Sequence, residues 1–214
     1  MGLVKAVLWD NDGILVDSEF DFFEVTRDAF AELGLDLTKD IWGLQYLGEG
    51  KSSREIAREM GADPAEFNRI LDERNARYRE MLRKNPPPVR SRVPETLSRL
   101  CGRVKLGVVT GSHRDQFRHM HQSSGLTGMF DVIITGDDWK EPKPDPGPYL
   151  AALEALGLPA GECIAVEDTK RGLLAAVNAG IACVVVPTEL TRMQDFTGAL
   201  AVEDDISSIL KHVR

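Results

Sequence analysis

The sequence lacks three features that would each point to a particular class of protein. Its apolar runs stay far below the roughly 18 residues of a membrane-spanning helix, and its N-terminus lacks the layout of a signal peptide. It has only three cysteines, Cys101, Cys163 and Cys183, an odd number that is atypical of a disulfide framework. Basic residues are not in excess either, since the sequence has 26 of them and 34 acidic residues. We therefore expect a cytoplasmic protein with reduced cysteines that binds neither nucleic acid nor a membrane.

What the sequence does contain is the composition of an ordinary globular protein. Of its 214 residues, 43% are hydrophobic and 28% are charged, which is enough for one core with a modest insertion. Residues 16–90 show helical patterns without a convincing strand, whereas residues 91–214 alternate short apolar runs with helical patterns. This alternation predicts an α/β fold: a Rossmann-like core of parallel strands, residues 1–15 and 91–214, with an all-helical cap domain, residues 16–90, inserted after the first strand.

The individual elements are predicted from apolar runs, helix-capping residues and chain breakers. Strands are expected at residues 5–9, 105–109, 132–135, 163–166 and 183–186. Helices are expected at residues 18–33, 52–61, 63–84, 94–101, 114–124, 148–156, 172–179 and 207–213. Residues 43–53 are rich in glycine and are predicted to form a loop.

Two carboxylates, Asp10 and Asp12, directly follow the first predicted strand. Unpaired charge is costly next to a buried strand, so the pair makes sense where the strand ends in a polar site that holds a cation. One carboxylate could then act as a nucleophile while the other transfers protons. Because Asn, Asp and Gly also favour turns, the segment from Asp10 to Gly13 taken alone fits a simple turn equally well.

Three further polar clusters lie at or near strand ends of the predicted sheet. Thr110 follows the second strand, Glu167 and Asp168 follow the fourth, and Lys143 lies in a proline-rich segment between them. Each cluster alone has a simpler interpretation: a loop, a helix N-cap, or a solvated lysine. Ligands of parallel sheets bind at the carboxyl ends of the strands, however, so the clusters are expected to converge on one site.

With these four clusters in order along nearly the whole chain, the sequence resembles the haloacid dehalogenase-like hydrolase superfamily. The resemblance is to the β-phosphoglucomutase and phosphoglycolate phosphatase branch, whose helical cap follows the first strand. It implies that Asp10 attacks phosphorus to form an aspartyl-phosphate, and that Asp12 acts as general acid and base. It further implies that Thr110 binds the transferring phosphoryl group and that Lys143 pairs with Asp10.

The same resemblance implies a Mg²⁺ cofactor. Its ligands would be the carboxylates of Asp10 and Asp168 and the backbone carbonyl of Asp12. Glu167 would lie nearby or act through water. An all-oxygen site of this kind suits Mg²⁺ better than a soft metal.

Two departures from the family pattern narrow the predicted reaction. Members that dehalogenate lack an acid at position 12, so Asp12 favours phosphoryl transfer. Mutase members carry a histidine at the position of Phe22, so we expect a phosphatase, with a phosphomutase as the alternative.

The alternative from a different class is a receiver-like signalling domain. Such a domain also has acids, a threonine and a lysine at strand ends, but it lacks the helical insertion.

The substrate is predicted to be a small phosphorylated metabolite, such as a sugar phosphate or a phosphoglycolate-like acid, acted on by a monomer. The resemblance implies that backbone N–H groups of Gly111 and Ser112 bind the phosphoryl oxygens beside Thr110. Arg114 and Lys51 are candidates for contacts to the distal part of the substrate, although either could be a solvated surface residue.

Overall fold

Six strands form one fully parallel sheet in the structure, a computed structural model that describes residues 3–213. Their order across the sheet is β3-β2-β1-β4-β5-β6. The strands are β1 (Ala6–Trp9), β2 (Lys105–Val109), β3 (Val132–Ile134), β4 (Cys163–Glu167), β5 (Ala182–Val185) and β6 (Ala201–Val202). The two central strands, β1 and β4, therefore place their carboxyl ends side by side in the middle of one edge.

Apolar side chains cover both faces of this sheet, which explains why the strands are continuous apolar runs. All four residues of β1 are buried, and their side chains alternate between the faces. Val7 and Trp9 belong to one core cluster, whereas Ala6 and Leu8 belong to the cluster on the opposite face.

Eight α-helices surround the sheet or form the insertion in the described part of the chain. They are α1 (Glu19–Ala31), α2 (Lys39–Ile41), α3 (Ser53–Glu59), α4 (Pro64–Lys84), α5 (Val93–Leu100), α6 (Arg114–Met120), α7 (Gly147–Leu156) and α8 (Lys170–Asn178). Helices α1 to α4 lie between β1 and α5 and form the cap. The parallel sheet and this helical insertion confirm the predicted fold class, while residues 1, 2 and 214 of the predicted core lie outside the described residues.

The cap has its own apolar core and returns to the sheet where it left it. Phe23, Phe30 and Trp42 are buried in this core, which also takes in Leu190 from the segment after β5. Val16 pairs with Val89 in an isolated antiparallel bridge at the entry to and exit from the insertion. The position of this bridge is consistent with the predicted domain boundaries, which stay a prediction.

The prediction of a loop over residues 43–53 is wrong for most of that segment. Trp42–Gly48 forms a π-helix that continues α2, and the rings of Trp42 and Tyr46 stack at 3.8 Å within it. The glycines resemble a loop signal but serve close packing, because a Cβ at Gly43 would lie 2.2 Å from the carbonyl oxygen of Leu190.

Three smaller differences concern the helical ends and one short strand. Helix α6 ends at Met120 rather than near residue 124, and Ile206–Lys211 forms a 3₁₀-helix instead of an α-helix. The two-residue strand β6 is too short to leave a pattern in the sequence. Within residues 3–213, no helix combines the length and the apolar character needed to cross a membrane.

Candidate active site

Lys143 joins the ends of three strands into one charged cluster. Its Nζ lies 2.8 Å from Asp10 Oδ1, 2.6 Å from Glu167 Oε1 and 2.8 Å from the carbonyl oxygen of Val109. The lysine is buried, and Tyr149 donates a further hydrogen bond of 2.6 Å to the same oxygen of Glu167. Lys143 is therefore fixed against Asp10, and Glu167 and Tyr149 hold it there.

The electrostatics of this cluster call for more positive charge than Lys143 supplies. Burial raises the pKa of Asp10 to about 7; Lys143 opposes the shift, and the charges of Glu167 and Asp12 add to it. Burial acts to lower the pKa of Lys143, but the charges of Asp10 and Glu167 outweigh it and raise that pKa. The lysine thus stays protonated, and a further cation beside Asp10 would favour its ionised form.

Asp12 is held by four hydrogen-bond donors at the mouth of the same site. Ser18 Oγ donates to its Oδ1 at 2.6 Å, while Ser112 Oγ, Thr110 Oγ1 and Asn11 Nδ2 donate to its Oδ2 at 2.8, 3.2 and 3.2 Å. Ser18 occupies the N-cap position of α1, but its side chain makes no capping bond there. This serine thus fixes Asp12 rather than the helix, a role that its sequence position does not reveal.

The residues at the strand ends fit a magnesium ion. Carboxylate oxygens of Asp10, Glu167 and Asp168 lie within 4.8 Å of one another. Asp168 Oδ2 is buried without a hydrogen-bond partner, and a Cβ at Gly13 would lie 2.3 Å from it. Burial and then the charge of Asp10 raise the pKa of Asp168 well above its usual range. An orphaned carboxylate oxygen among oxygen donors is the environment that Mg²⁺ satisfies.

A cavity of about 450 Å³ separates this cluster from the cap. Its core wall includes Asp10, Asp12, Gly111, Ser112 and Lys143. Its cap wall is formed by the following side chains: Glu19, Phe22, Tyr46, Arg74, Asn75 and Tyr78. The cavity has room for a small molecule in contact with both walls.

Arg74 of α4 is the most unusual group on the cap wall. It is 5% exposed, and its Nε is buried without a partner. Its Nη1 donates to Thr26 Oγ1 at 2.6 Å, and its guanidinium lies 4.7 Å from the ring centre of Phe22. Within residues 3–213, no carboxylate lies at ion-pair distance from the guanidinium of Arg74. Burial lowers the pKa of Arg74. A buried cation without a counter-ion is a natural contact for an anionic group of a ligand.

Glu19, in the first turn of α1, is a second unsatisfied group on the cap wall. Its Oε2 is buried and has no hydrogen-bond partner. Burial, followed by the charge of Asp12, raises the pKa of Glu19 to about 8, while Arg171 opposes the shift. Neither Glu19 nor Arg74 was predicted as a site residue, because α1 and α4 contain many charged residues and only the fold shows which of them face the cavity.

Two predicted substrate contacts lie away from the cavity. Lys51 forms an ion pair of 2.7 Å with Glu59, and Arg114 forms one of 2.6 Å with Asp138. Neither lines the cavity. Their roles stay a prediction, and Arg74 is better placed to meet a ligand.

The sequence profile of the haloacid dehalogenase-like hydrolase family matches residues 7–186. The chain belongs to this family. It is similar to the protein CbbY of Rhodobacter capsulatus, with 32% identity over 92% of this chain and 91% of the relative. It is also similar to the phosphorylated carbohydrates phosphatase of Thermotoga maritima, with 32% identity over 83% of this chain and 82% of the relative.

Among solved structures, a variant of CbbY from Rhodobacter sphaeroides in complex with xylulose-(1,5)-bisphosphate has a TM-score of 0.78 and 26% identity to this chain, with 96% of both chains covered. The resemblance seen in the sequence is thereby confirmed. The family assignment also decides between an enzyme and a receiver-like signalling domain in favour of the enzyme.

Proposed function

We propose that this hydrolase is a Mg²⁺-dependent phosphatase that cleaves a small phosphorylated metabolite through an aspartyl-phosphate on Asp10. Its class, a phosphoric monoester hydrolase, is confirmed by the family and by relatives that carry phosphatase names. The single observation that carries the mechanism is the buried contact of 2.8 Å between Lys143 Nζ and Asp10 Oδ1, beside the orphaned oxygen of Asp168.

In the first step, the Asp10 carboxylate attacks phosphorus while Asp12 donates a proton to the leaving oxygen. Lys143 orients Asp10 and offsets the negative charge of the phosphoryl group. Thr110 and the N–H groups of the following loop bind the phosphoryl oxygens. In the second step, Asp12 takes a proton from the water that hydrolyses the aspartyl-phosphate, which frees Asp10 as a carboxylate and returns Asp12 to its protonated form.

Asp10, the Asp12 carbonyl and Asp168 would hold the magnesium ion, with Glu167 close by. The ion, when bound, supplies the positive charge that the nucleophile and the phosphoryl oxygens share. Glu167 already accepts hydrogen bonds from Lys143 and Tyr149 through Oε1, so its contribution to the ion is best made through water.

The cap wall supports a sugar phosphate with a second anionic group as substrate. Arg74 is buried without a counter-ion, so an anionic group at the distal end of the substrate would complete its environment. Glu19 Oε2 lacks a donor that a sugar hydroxyl could supply. The names of the relatives, which refer to phosphorylated carbohydrates and to a complex with a sugar bisphosphate, agree with this chemistry.

A phosphomutase remains the second candidate, but the surroundings of Phe22 do not favour it. This side chain lies on the cavity wall, with ring centres 4.7 Å from Tyr78 and 5.7 Å from Trp42. An apolar ring cannot exchange protons with a substrate.

The monomeric state and the cytoplasmic location of the protein stay predictions.

The proposal is tested by measuring phosphate release from a panel of phosphorylated metabolites, with Mg²⁺ and with EDTA. We expect turnover that EDTA removes and that Asp10→Asn abolishes without a change in the circular dichroism spectrum. Turnover that persists in Asp10→Asn would contradict the mechanism. Conversion of a sugar phosphate into its isomer without release of phosphate would favour the mutase.

A further inference from the structure

A buried chain of polar side chains runs from the end of α6 to the catalytic loop. His121 Nε2 lies 2.7 Å from Asn11 Oδ1, and Asn11 Nδ2 lies 3.2 Å from Asp12 Oδ2. At the far end, His121 Nδ1 lies 2.9 Å from Ser124 Oγ. Asn11 and His121 are 0% and 4% exposed, so water does not satisfy them. The chain therefore connects the proposed general acid to a histidine that the mechanism has not used.

The direction of the hydrogen bonds in this chain follows from its end on Asp12. Asn11 Nδ2 donates to Asp12 Oδ2, so the amide oxygen of Asn11 faces His121. His121 must then donate from Nε2, which leaves Nδ1 as an acceptor near the hydroxyl of Ser124, a group that also lies 3.2 Å from the carbonyl oxygen of His121. The opposite tautomer would place two acceptors face to face. Burial lowers the pKa of His121 to about 4, in agreement with a neutral ring that keeps one fixed tautomer.

The chain is not needed to hold the backbone of the loop. The carbonyl oxygen of Asn11 already accepts from the N–H groups of Ile14, Leu15 and Val16 at 3.2, 2.8 and 3.1 Å. An apolar side chain of similar size would also fill the space behind the loop. Packing alone therefore does not explain why position 11 carries a polar amide. Asn11 Nδ2 also donates a hydrogen bond to Met120 Sδ at 3.2 Å.

We propose that His121 and Asn11 are positioning residues that hold the Asp12 carboxylate in the orientation it needs for proton transfer. This inference rests on the proposed function, because it assumes that Asp12 protonates the leaving oxygen. Asn11 acts on Asp12 directly, and His121 acts by fixing which end of the Asn11 amide faces the carboxylate. A misplaced acid transfers its proton poorly, even where nucleophile and metal site are intact.

The leaving group of the substrate separates this role from a merely structural one. The enzyme is assayed with p-nitrophenyl phosphate and phenyl phosphate, which fill similar space but differ in how much the leaving oxygen needs a proton. We expect His121→Phe and Asn11→Leu to lower kcat/KM for phenyl phosphate about tenfold more than for p-nitrophenyl phosphate.

Two further variants serve as rescue and control. His121→Gln can place an amide N–H near the position of Nε2 and should restore the wild-type ratio of the two substrates. Met120→Leu changes the same pocket without breaking the chain and should keep that ratio. Equal losses on both esters in His121→Phe would show a structural role and overturn the inference.

A measurement without turnover keeps the inference separate from the proposed function. Nitrogen NMR of His121 should report a neutral ring protonated on Nε2 near neutral pH. A ring protonated on Nδ1 would overturn the inference, whichever ester is cleaved. Absence of phosphate release by the wild-type enzyme would instead count against the proposed function, and the NMR result would still decide whether the chain is directed at Asp12.

Discussion

The two walls of the active-site cavity are built on different principles. On the core wall, most functional groups are hydrogen-bonded to their neighbours at the strand ends, as when Lys143 contacts Asp10, Glu167 and a backbone carbonyl, and the exception, Asp168 Oδ2, belongs to the proposed metal site. On the cap wall, Arg74 Nε and Glu19 Oε2 are buried atoms without a hydrogen-bond partner in residues 3–213. The contrast indicates that the core supplies a reaction centre that a metal ion would complete, whereas the cap supplies groups that a substrate would complete.

The largest expected effect comes from removing the positive charge of Lys143. In Lys143→Met, the carboxylates of Asp10 and Glu167 are buried without this partner. We therefore expect turnover to fall about 100- to 1,000-fold and the free energy of unfolding to drop by about 3 kcal/mol. Steady-state kinetics and urea unfolding measure the two effects.

The matched control is Lys140→Met, since Lys140 also lines the cavity but is exposed. We expect it to change turnover far less than Lys143→Met. A nearly inactive Lys140→Met beside an active Lys143→Met would show that the wrong lysine has been assigned to Asp10.

An intermediate effect is expected on the cap wall. Arg74→Met should lower kcat/KM about 10- to 100-fold for phosphate esters that carry a second anionic group, because a hydrogen bond to a charged group is lost. Esters without that group should lose much less. The comparison is made within pairs of substrates, such as a sugar bisphosphate and the corresponding monophosphate.

Arg77→Met is the control for this prediction, because Arg77 lies on the same helix but is exposed and paired with Glu32 at 2.9 Å. Arg77→Met should keep kcat/KM near the wild-type value for both classes of ester. If Arg74→Met reduced both members of each pair alike, the cap wall would not select for charge.

The smallest effect concerns pH and the metal site. The pKa of Asp10 is raised to about 7 in the folded protein, so the folded state binds a proton more tightly than the unfolded chain does. The metal-free protein should therefore lose stability as the pH rises from about 4 through about 7. Mg²⁺ binds the ionised carboxylates, so its stabilising effect should be larger at pH 8 than at pH 5.

Thermal unfolding in EDTA and in Mg²⁺ at both pH values measures this difference, which we expect to be a few degrees. Asp10→Asn should reduce the loss of stability with pH in EDTA, because the amide does not titrate. A stabilisation by Mg²⁺ that is equal at the two pH values would contradict a metal site formed by these carboxylates.

The contrast between the two walls also explains how far the sequence could be read. A buried parallel strand must be an apolar run, so the five longer strands were predicted nearly to the residue. Functional side chains at their ends must converge on one edge, so Asp10, Thr110 and Asp168 could be expected together before the fold was known, whereas Lys143 was added through the resemblance to the family. These regularities come from the geometry of parallel sheets.

No such rule applies to the cap. Helix α4 carries many charges, and Arg74 differs from the exposed Arg77 only in the face it turns toward α1 and the cavity. The π-helix Trp42–Gly48 was hidden by glycines that permit close packing. Lys51 was expected at the substrate from its place in the cap loop and Arg114 from its place just beyond Thr110; both form ion pairs with nearby acids, and their roles stay a prediction.

The central claim, that Asp10 carries the phosphoryl group, is tested most directly by trapping the intermediate. The enzyme is mixed with Mg²⁺ and the best substrate of the panel, quenched in acid and analysed by mass spectrometry of its peptides. We predict one added phosphoryl group on the peptide that contains Asp10, and none in Asp10→Asn. A phosphoryl group on any other residue, or one that persists in Asp10→Asn, would contradict the account.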